Sequence, residues 1–295
     1  MSRRTARSTR TLALAAVFVL ASISLSLADD AAALYEAAAA PVAIETIEEY
    51  RLKIDGREEP LLLRITFPKP AGKYPVIVYS HGAMGSKDAY QPLIEYWAAR
   101  GYVCIQPTHG DSLSLLSAEE RRKIGSLRER LVAADTLGHW RTRPADVKAV
   151  LDQLKQIEQD VPGLAGKLDH QRIGMGGHSF GAQTTQMIGG LSFRLLRRLS
   201  FADERPKCLL MISPPGPGPG SNADSFRHIT RPTMVITGTN DDSAHNNKDY
   251  TWRLEVYDHL PAEDKYLLFI ENAYHGFGGI AGPVRFPGSG ANNAD

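Results

Sequence analysis

Ser179 lies in the stretch Gly177-His178-Ser179-Phe180-Gly181, a Gly-x-Ser-x-Gly pattern that sets a glycine two residues to either side of one hydroxyl. The incoming residues 172–177 read as a strand, and the outgoing Ala182-Gln183-Thr184-Thr185-Gln186-Met187-Ile188 as a helix beginning at Gly181. A strand that turns straight into a helix strains its corner residue and lifts that side chain clear of the sheet, while bulk at 177 or 181 collides with the turn. The chemistry such a serine suits is attack on an acyl carbonyl. A lone hydroxyl is a weak nucleophile, so a base must take its proton and an acid must orient the base.

The base is expected after the last strand, on a mobile, glycine-rich loop, and in chain order the acid falls between serine and base. Of the nine histidines, His275 in Glu271-Asn272-Ala273-Tyr274-His275-Gly276-Phe277 meets both conditions, whereas His228, His245 and His259 fit less well. The acid is expected at the end of the preceding strand. There Gly238-Thr239-Asn240-Asp241 selects Asp241 by a Gly-x-x-Asp turn, with Asp242 open as the alternative. Acyl transfer also needs donors for a developing oxyanion. The N–H of Phe180, the residue after the serine, supplies one. The second is assigned to Ala83 in Ser80-His81-Gly82-Ala83-Met84-Gly85-Ser86, with Met84 as a wall of the acyl pocket. His178 is expected to be a structural neighbour of the turn.

The elements that must hold these residues follow from periodicity. Strands are expected over 45–54, 61–68, 74–80, 101–107, 172–177, 207–213, 233–238 and 265–271. The first two alternate polar and apolar residues, as exposed antiparallel strands do, and the later ones are apolar runs that suit strands covered on both faces. Helices are expected over 91–99, from Gly181, and over 250–260. Another begins at Pro144, with Val147, Val150, Leu151, Leu154 and Ile157 on one stripe and Asp146, Lys148, Asp152 and Lys155 opposite. Strands alternating with helices imply an α/β fold with a mostly parallel central sheet of about eight strands and helices on both faces.

The 295 residues are 43% hydrophobic and 23% charged, enough for one large core. Residues 1–28 read as a cleaved export signal: Arg3, Arg4, Arg7 and Arg10 precede the apolar run 12–20, and Ser26-Leu27-Ala28 supplies a cleavage site. The expected location is secreted or periplasmic, with no stable membrane insertion after cleavage. Four of the 34 basic side chains lie in that segment, so 30 face 33 acidic ones and nothing points to nucleic acid. Neither a Cys-x-x-Cys pair nor a His-Glu-x-x-His helix occurs, and no metal or cofactor is expected. Cys104 and Cys208 sit in apolar runs and read as buried strand residues. Residues 112–143 form the one insertion large enough to cover the site, and their charged, amphipathic character suits a partial lid over small ester substrates. Trp97, Trp140 and Trp252 are expected in the core.

Together "SHGAMGS", "PTHGDS", "RTRPADVKAVLDQL", "GHSFGAQT", "SPPGPG", "TGTNDDS" and "YHGF", spread over residues 74–277, resemble an α/β hydrolase of the dienelactone hydrolase and platelet-activating-factor acetylhydrolase-like group. The resemblance implies a serine esterase acting on short acyl or lipid-like esters without a cofactor, similar in layout to secreted cutinases and polyester hydrolases. Dienelactone hydrolases carry cysteine where this chain has Ser179, so lactone hydrolysis is not implied. The family pattern closes with a helix, and residues 278–295 offer no helical stripe. The expected organisation is therefore a single domain over 29–295 without that helix. In the family's strand order two strands separate those of Cys104 and Cys208, which implies free thiols. A lipase or polyester hydrolase, a peptidase, and a non-catalytic binding protein on the same fold are the alternatives.

Overall fold

A computed structural model describes residues 40–282, apart from 124, 126–128, 130–133, 135, 194–199, 219 and 244–245. The chain divides into Met1–Ala40 and Pro41–Asp295, and the second unit is described below. The export signal expected over 1–28, His245 and the stretch beyond 282 lie outside the described residues.

Eight strands form one sheet: β1 (Ile44–Leu52), β2 (Leu61–Pro68), β3 (Tyr74–Ser80), β4 (Val103–Pro107), β5 (Leu168–His178), β6 (Pro206–Ile212), β7 (Thr233–Asn240) and β8 (Lys265–Tyr274). Their order is β1-β2-β4-β3-β5-β6-β7-β8. The β1–β2 and β2–β4 pairs are antiparallel and every other pair is parallel. From β3 the chain winds outward to β4 on one side and then to β5 on the other, so the direction of winding reverses between β3 and β5. In open α/β sheets the crevice at the carboxyl ends of such a strand pair is where ligands bind. Ser80 pairs with Gly177 there, which brings the loop after β3 against the Gly-x-Ser-x-Gly corner.

Helices cover the sheet. They include α1 (Gln91–Ala98), α2 (Ala118–Lys123), α3 (Leu137–Asp152), α4 (Leu154–Asp160), α5 (Phe180–Gly189) and α6 (Thr251–His259). Successive strand residues point to opposite faces. Val76 and Val78 on β3 join the larger cluster with Val147, Val150, Met187 and Val235, while Ile77 and Tyr79 belong to a second cluster with Ile94 and Ile212.

Several expectations change. Pro144 does not start a helix: it lies inside α3, which begins at Leu137 with the Thr136 side chain accepting the His139 N–H. The first turns escape a periodicity reading because Leu137 is exposed and the buried positions go to Arg143 and Asp146. Asp146 therefore lies on the buried stripe, and the stripe itself breaks at Gln153 between α3 and α4. The apolar run of β8 is not covered on both faces either. Tyr266 is 53% exposed and Leu268 45%, and β8 is the edge strand, paired only with β7 among the described residues. Cys104 is buried, but Cys208 is exposed, and both are free thiols with two strands between theirs.

Candidate active site

The corner at Ser179 is built by sterics. A Cβ on Gly177 would lie 2.3 Å from the Gly181 carbonyl, and one on Gly181 would lie 1.9 Å from the Ser80 oxygen. Neither glycine is there for a left-handed backbone; both make room. Ser179 carries the conformational strain instead, with φ 56° and ψ −116° at the N-cap of α5, a region that costs a non-glycine residue about 1–3 kcal/mol. Its N–H donates to the Ile212 carbonyl of β6 at 2.9 Å, so the sheet holds the corner in place.

His275 follows β8, and its Nε2 lies 3.0 Å from Ser179 Oγ. Its Nδ1 lies 2.7 Å from Asp241 Oδ1. The carboxylate accepts only, so Nδ1 carries the proton and Nε2 is left to accept from the serine. Asp241 is fully buried and fully used: Oδ2 accepts the Ser213 hydroxyl at 2.6 Å and the Thr237 hydroxyl at 2.8 Å. Arg253 Nε lies 2.8 Å from Oδ1. Burial opposes the charge on Asp241, yet the Arg253 guanidinium and the bonds from His275 and Ser213 outweigh it and hold the carboxyl below the usual range. Asp242 faces elsewhere, accepting the Tyr250 N–H at 3.1 Å before α6. Of the two aspartates, Asp241 is the one beside His275.

The loop after β3 is held from below. Gly82 O accepts from His81 Nδ1 at 2.6 Å, Arg143 Nη2 at 3.2 Å and the Gly85 N–H at 3.1 Å. In a trans peptide the carbonyl and the following N–H point opposite ways, so anchoring Gly82 O turns the Ala83 N–H away from that network. Neither Ala83 N–H nor Phe180 N–H has a hydrogen-bond partner among the described residues, which leaves both able to donate. Met84 is buried at φ 65°, its N–H bonded to Asp111 Oδ2 at 2.9 Å.

Sequence patterning missed the charges under this loop. Arg143 has no exposed surface; Nε and Nη2 grip Asp111 at 2.9 Å each, and Nη1 donates to His81 O at 2.8 Å. Its guanidinium lies 4.2 Å over the Phe180 ring. Beside it His109 Nδ1 pairs with Asp146 at 2.9 Å, and His109 Nε2 meets Ser80 Oγ at 2.8 Å. Burial, then the Arg143 charge, holds His81 and His109 below the ordinary histidine range. One signal was available, since Arg143 and Asp146 fall on the stripe of Val147 and Val150 at helical spacing. Arg253, which bonds Asp241 O at 2.7 Å and Ser213 O at 2.8 Å, gave no comparable signal.

Of the expected lid, Leu113 N–H bonds Met84 O at 3.2 Å, and most of 124–135 lies outside the described residues. Trp252 is buried, while Trp97 and Trp140 pack against the two clusters from partly buried positions. Among the described residues, no group of three or more metal-ligating side chains is placed to hold an ion, and no helix is long and apolar enough to cross a membrane.

An eight-stranded, mostly parallel sheet with a serine corner at the carboxyl end of its central strand defines an α/β hydrolase of the dienelactone hydrolase and platelet-activating-factor acetylhydrolase-like group. Residues 31–193 match the family model for chlorophyllase, and the chain belongs to the chlorophyllase family. That match takes in the Ala83 loop, Arg143 and Ser179, and ends before Asp241 and His275. A chlorophyllase type 0 of Chenopodium album is 29% identical over 126 residues, 43% of this chain and 31% of that protein. A platelet-activating factor acetylhydrolase of Cavia porcellus is 23% identical over 235 residues, 70% of this chain and 48% of that protein. The chain thus spans about a third to a half of the length of these curated relatives. A solved structure described as a dienelactone hydrolase from Klebsiella pneumoniae superposes with a TM-score of 0.56 at 17% identity, over 80% of this chain and 88% of that one. This last likeness concerns the fold alone.

Proposed function

We propose that this hydrolase cleaves carboxylic esters with short acyl chains through an acyl-enzyme on Ser179. The observation that carries the reading is the continuous chain from Ser179 Oγ to His275 Nε2 at 3.0 Å and from His275 Nδ1 to Asp241 at 2.7 Å. Ser179 Oγ attacks the ester carbonyl as its proton passes to His275 Nε2. The negative charge on the carbonyl oxygen is met by the N–H groups of Ala83 and Phe180, in a site where fixed dipoles need no reorganisation. The tetrahedral adduct collapses, and His275 Nε2–H protonates the departing alkoxide. Water then attacks the acyl-enzyme by the same route and frees the acid. Throughout, Asp241 holds the imidazole by Nδ1–H and balances the charge that forms on it.

An acetylhydrolase among the relatives supports a short acyl group. We propose also that residues 1–28 direct export and are removed. N-terminal sequencing of the secreted chain checks this, and a mature start at Met1 counts against it.

Ser179→Ala tests the mechanism. Hydrolysis of 4-nitrophenyl acetate is expected to fall at least about 10³-fold, and labelling by a fluorophosphonate probe to vanish. Activity within tenfold of the parent sinks the reading. Across a series of acyl lengths, rates that keep rising beyond about eight carbons would replace the short-ester reading by a lipase-like one, since each added methylene would then be gaining pocket contacts.

A further inference from the structure

Tyr90 stands in two conditions that local physics disfavours. It is the N-cap of α1, where Ser, Thr, Asp, Asn or Gly is preferred and an aromatic offers no cap, and its side chain makes no capping bond. Its backbone is left-handed, φ 67° and ψ 20°, which is unusual for a bulky residue. Core packing explains the ring, which is 2% exposed and meets Tyr79 edge-on at 5.0 Å. A phenylalanine would pack as well. The hydroxyl needs its own explanation.

Every proton on that hydroxyl's path is determined. Gly82 N–H can only donate, and it donates to Tyr90 Oη at 3.0 Å. His275 O can only accept, and it lies 2.7 Å from His178 Nε2, so Nε2 carries the proton. Burial first, and the neighbouring His275 second, push His178 down to about 3. The ring is therefore neutral, and Nδ1 is bare. Tyr90 Oη–H consequently donates to His178 Nδ1 at 2.8 Å. The result is one directed line from the loop that carries Ala83, through the residue preceding the nucleophile, to the backbone of the loop that carries His275.

We propose that Tyr90 and His178 form a single positioning strut that sets the Ala83 loop and the His275 loop at a fixed spacing about Ser179, and that the strained backbone at Tyr90 is kept for it. The strut rests on the ester-hydrolase reading and adds to it two residues that touch no reacting atom. Small displacements of catalytic groups act on turnover more than on binding.

The test uses the full chain with Tyr90→Phe, His178→Gln and the double variant. The measurements are kcat and KM on 4-nitrophenyl acetate, the rate of fluorophosphonate labelling, and thermal unfolding. Each single variant is expected to lower kcat and the labelling rate together by about tenfold with KM within about twofold. Because both changes cut one strut, the double variant should lose no more than the worse single. A purely structural role predicts a lowered unfolding temperature with unchanged kcat per folded molecule. That outcome, or losses that multiply to about a hundredfold in the double variant, overturns the strut. If Tyr90→Phe does not fold, His178→Gln, which leaves the Tyr90 ring in place, decides alone. Wild-type protein that the probe does not label at Ser179 overturns the ester-hydrolase reading and the strut with it, whereas a labelled wild type whose rate both singles share overturns only the strut.

Discussion

Arg143 and Arg253 are both buried guanidinium groups at the carboxyl ends of the strands, and each ties down carbonyls of the loops around it. They flank Ser179, Arg143 under the loop of β3 and Arg253 under the turn of β7, with β5 between. Their counter-ions differ. Asp111 grips Arg143 with both oxygens and also bonds the Met84 N–H, so its charge is spent on shape. Asp241 divides one oxygen between Arg253 and His275, so in the proposed mechanism its charge serves shape and chemistry together. Bringing an ion out of water costs several kcal/mol, which only a full set of partners offsets. Both pairs meet that cost, and of the two only Asp241 also lies against a histidine beside Ser179.

This contrast can be broken by experiment. The largest effect is expected from Asp241→Asn, which removes the anion shared by His275 and Arg253 and favours the wrong histidine tautomer: kcat of the folded chain should fall by about 10⁴-fold, with a loss of stability beside it because Arg253 is left without its anion, while Asp242→Asn stays within about threefold in kcat. Equal losses from the two substitutions would dissolve the assignment. Asp111→Asn should act in the other currency, costing roughly 3–5 kcal/mol of stability by urea unfolding because Arg143 is left buried without its anion. If Asp111→Asn instead matches Asp241→Asn in kcat at unchanged stability, the division between the two regions is wrong.

A third, smaller effect is pH-dependent. His81, His109 and His178 are held below the ordinary histidine value by burial, so the unfolded chain takes up protons before the folded one does. Their contribution is complete above about pH 6.5 and is lost as pH falls from there towards the folded-state values, at about 1 kcal/mol per pH unit for each. Asp111 and Asp241, also lowered, add their loss only below about pH 4. Urea unfolding at pH 7 and pH 5 reads the histidine part alone, and equal midpoints and slopes would contradict three neutral buried rings. The baseline is Cys208→Ser. Exposed on β6 and tied to neither arginine, it should shift stability by less than about 0.5 kcal/mol. Thiol titration should find one reactive group in the folded chain and two in the unfolded one.

The residues that were legible in the sequence are those whose signal is local. Gly177 and Gly181 bracket Ser179 within five positions, the Gly-x-x-Asp turn ends β7 at Asp241, and His275 follows an apolar run. Continuous apolar strands and their alternation with helices gave the sheet. What was not legible depends on contacts far apart in the chain. Arg143, Asp111, Arg253 and Tyr90 are polar or amphipathic residues that patterning assigns to solvent or to generic core, and their roles arise from partners such as Ser213 for Arg253 or His178 for Tyr90. Pro144 misled because the rule that places proline at a helix start ignores helices anchored upstream by Thr136. The bareness of β8 depends on what lies beside the strand, which its own residues do not encode.

The backbone at Ser179 bears on which side chain the corner itself prefers. With φ 56° and ψ −116°, position 179 favours glycine over every other residue, serine included. Ser179→Gly is therefore expected to be more stable than Ser179→Ala, and urea unfolding of the two variants side by side reads that difference directly. Serine at this corner thus stands against the backbone's own preference, and the hydroxyl is what a glycine there would give up.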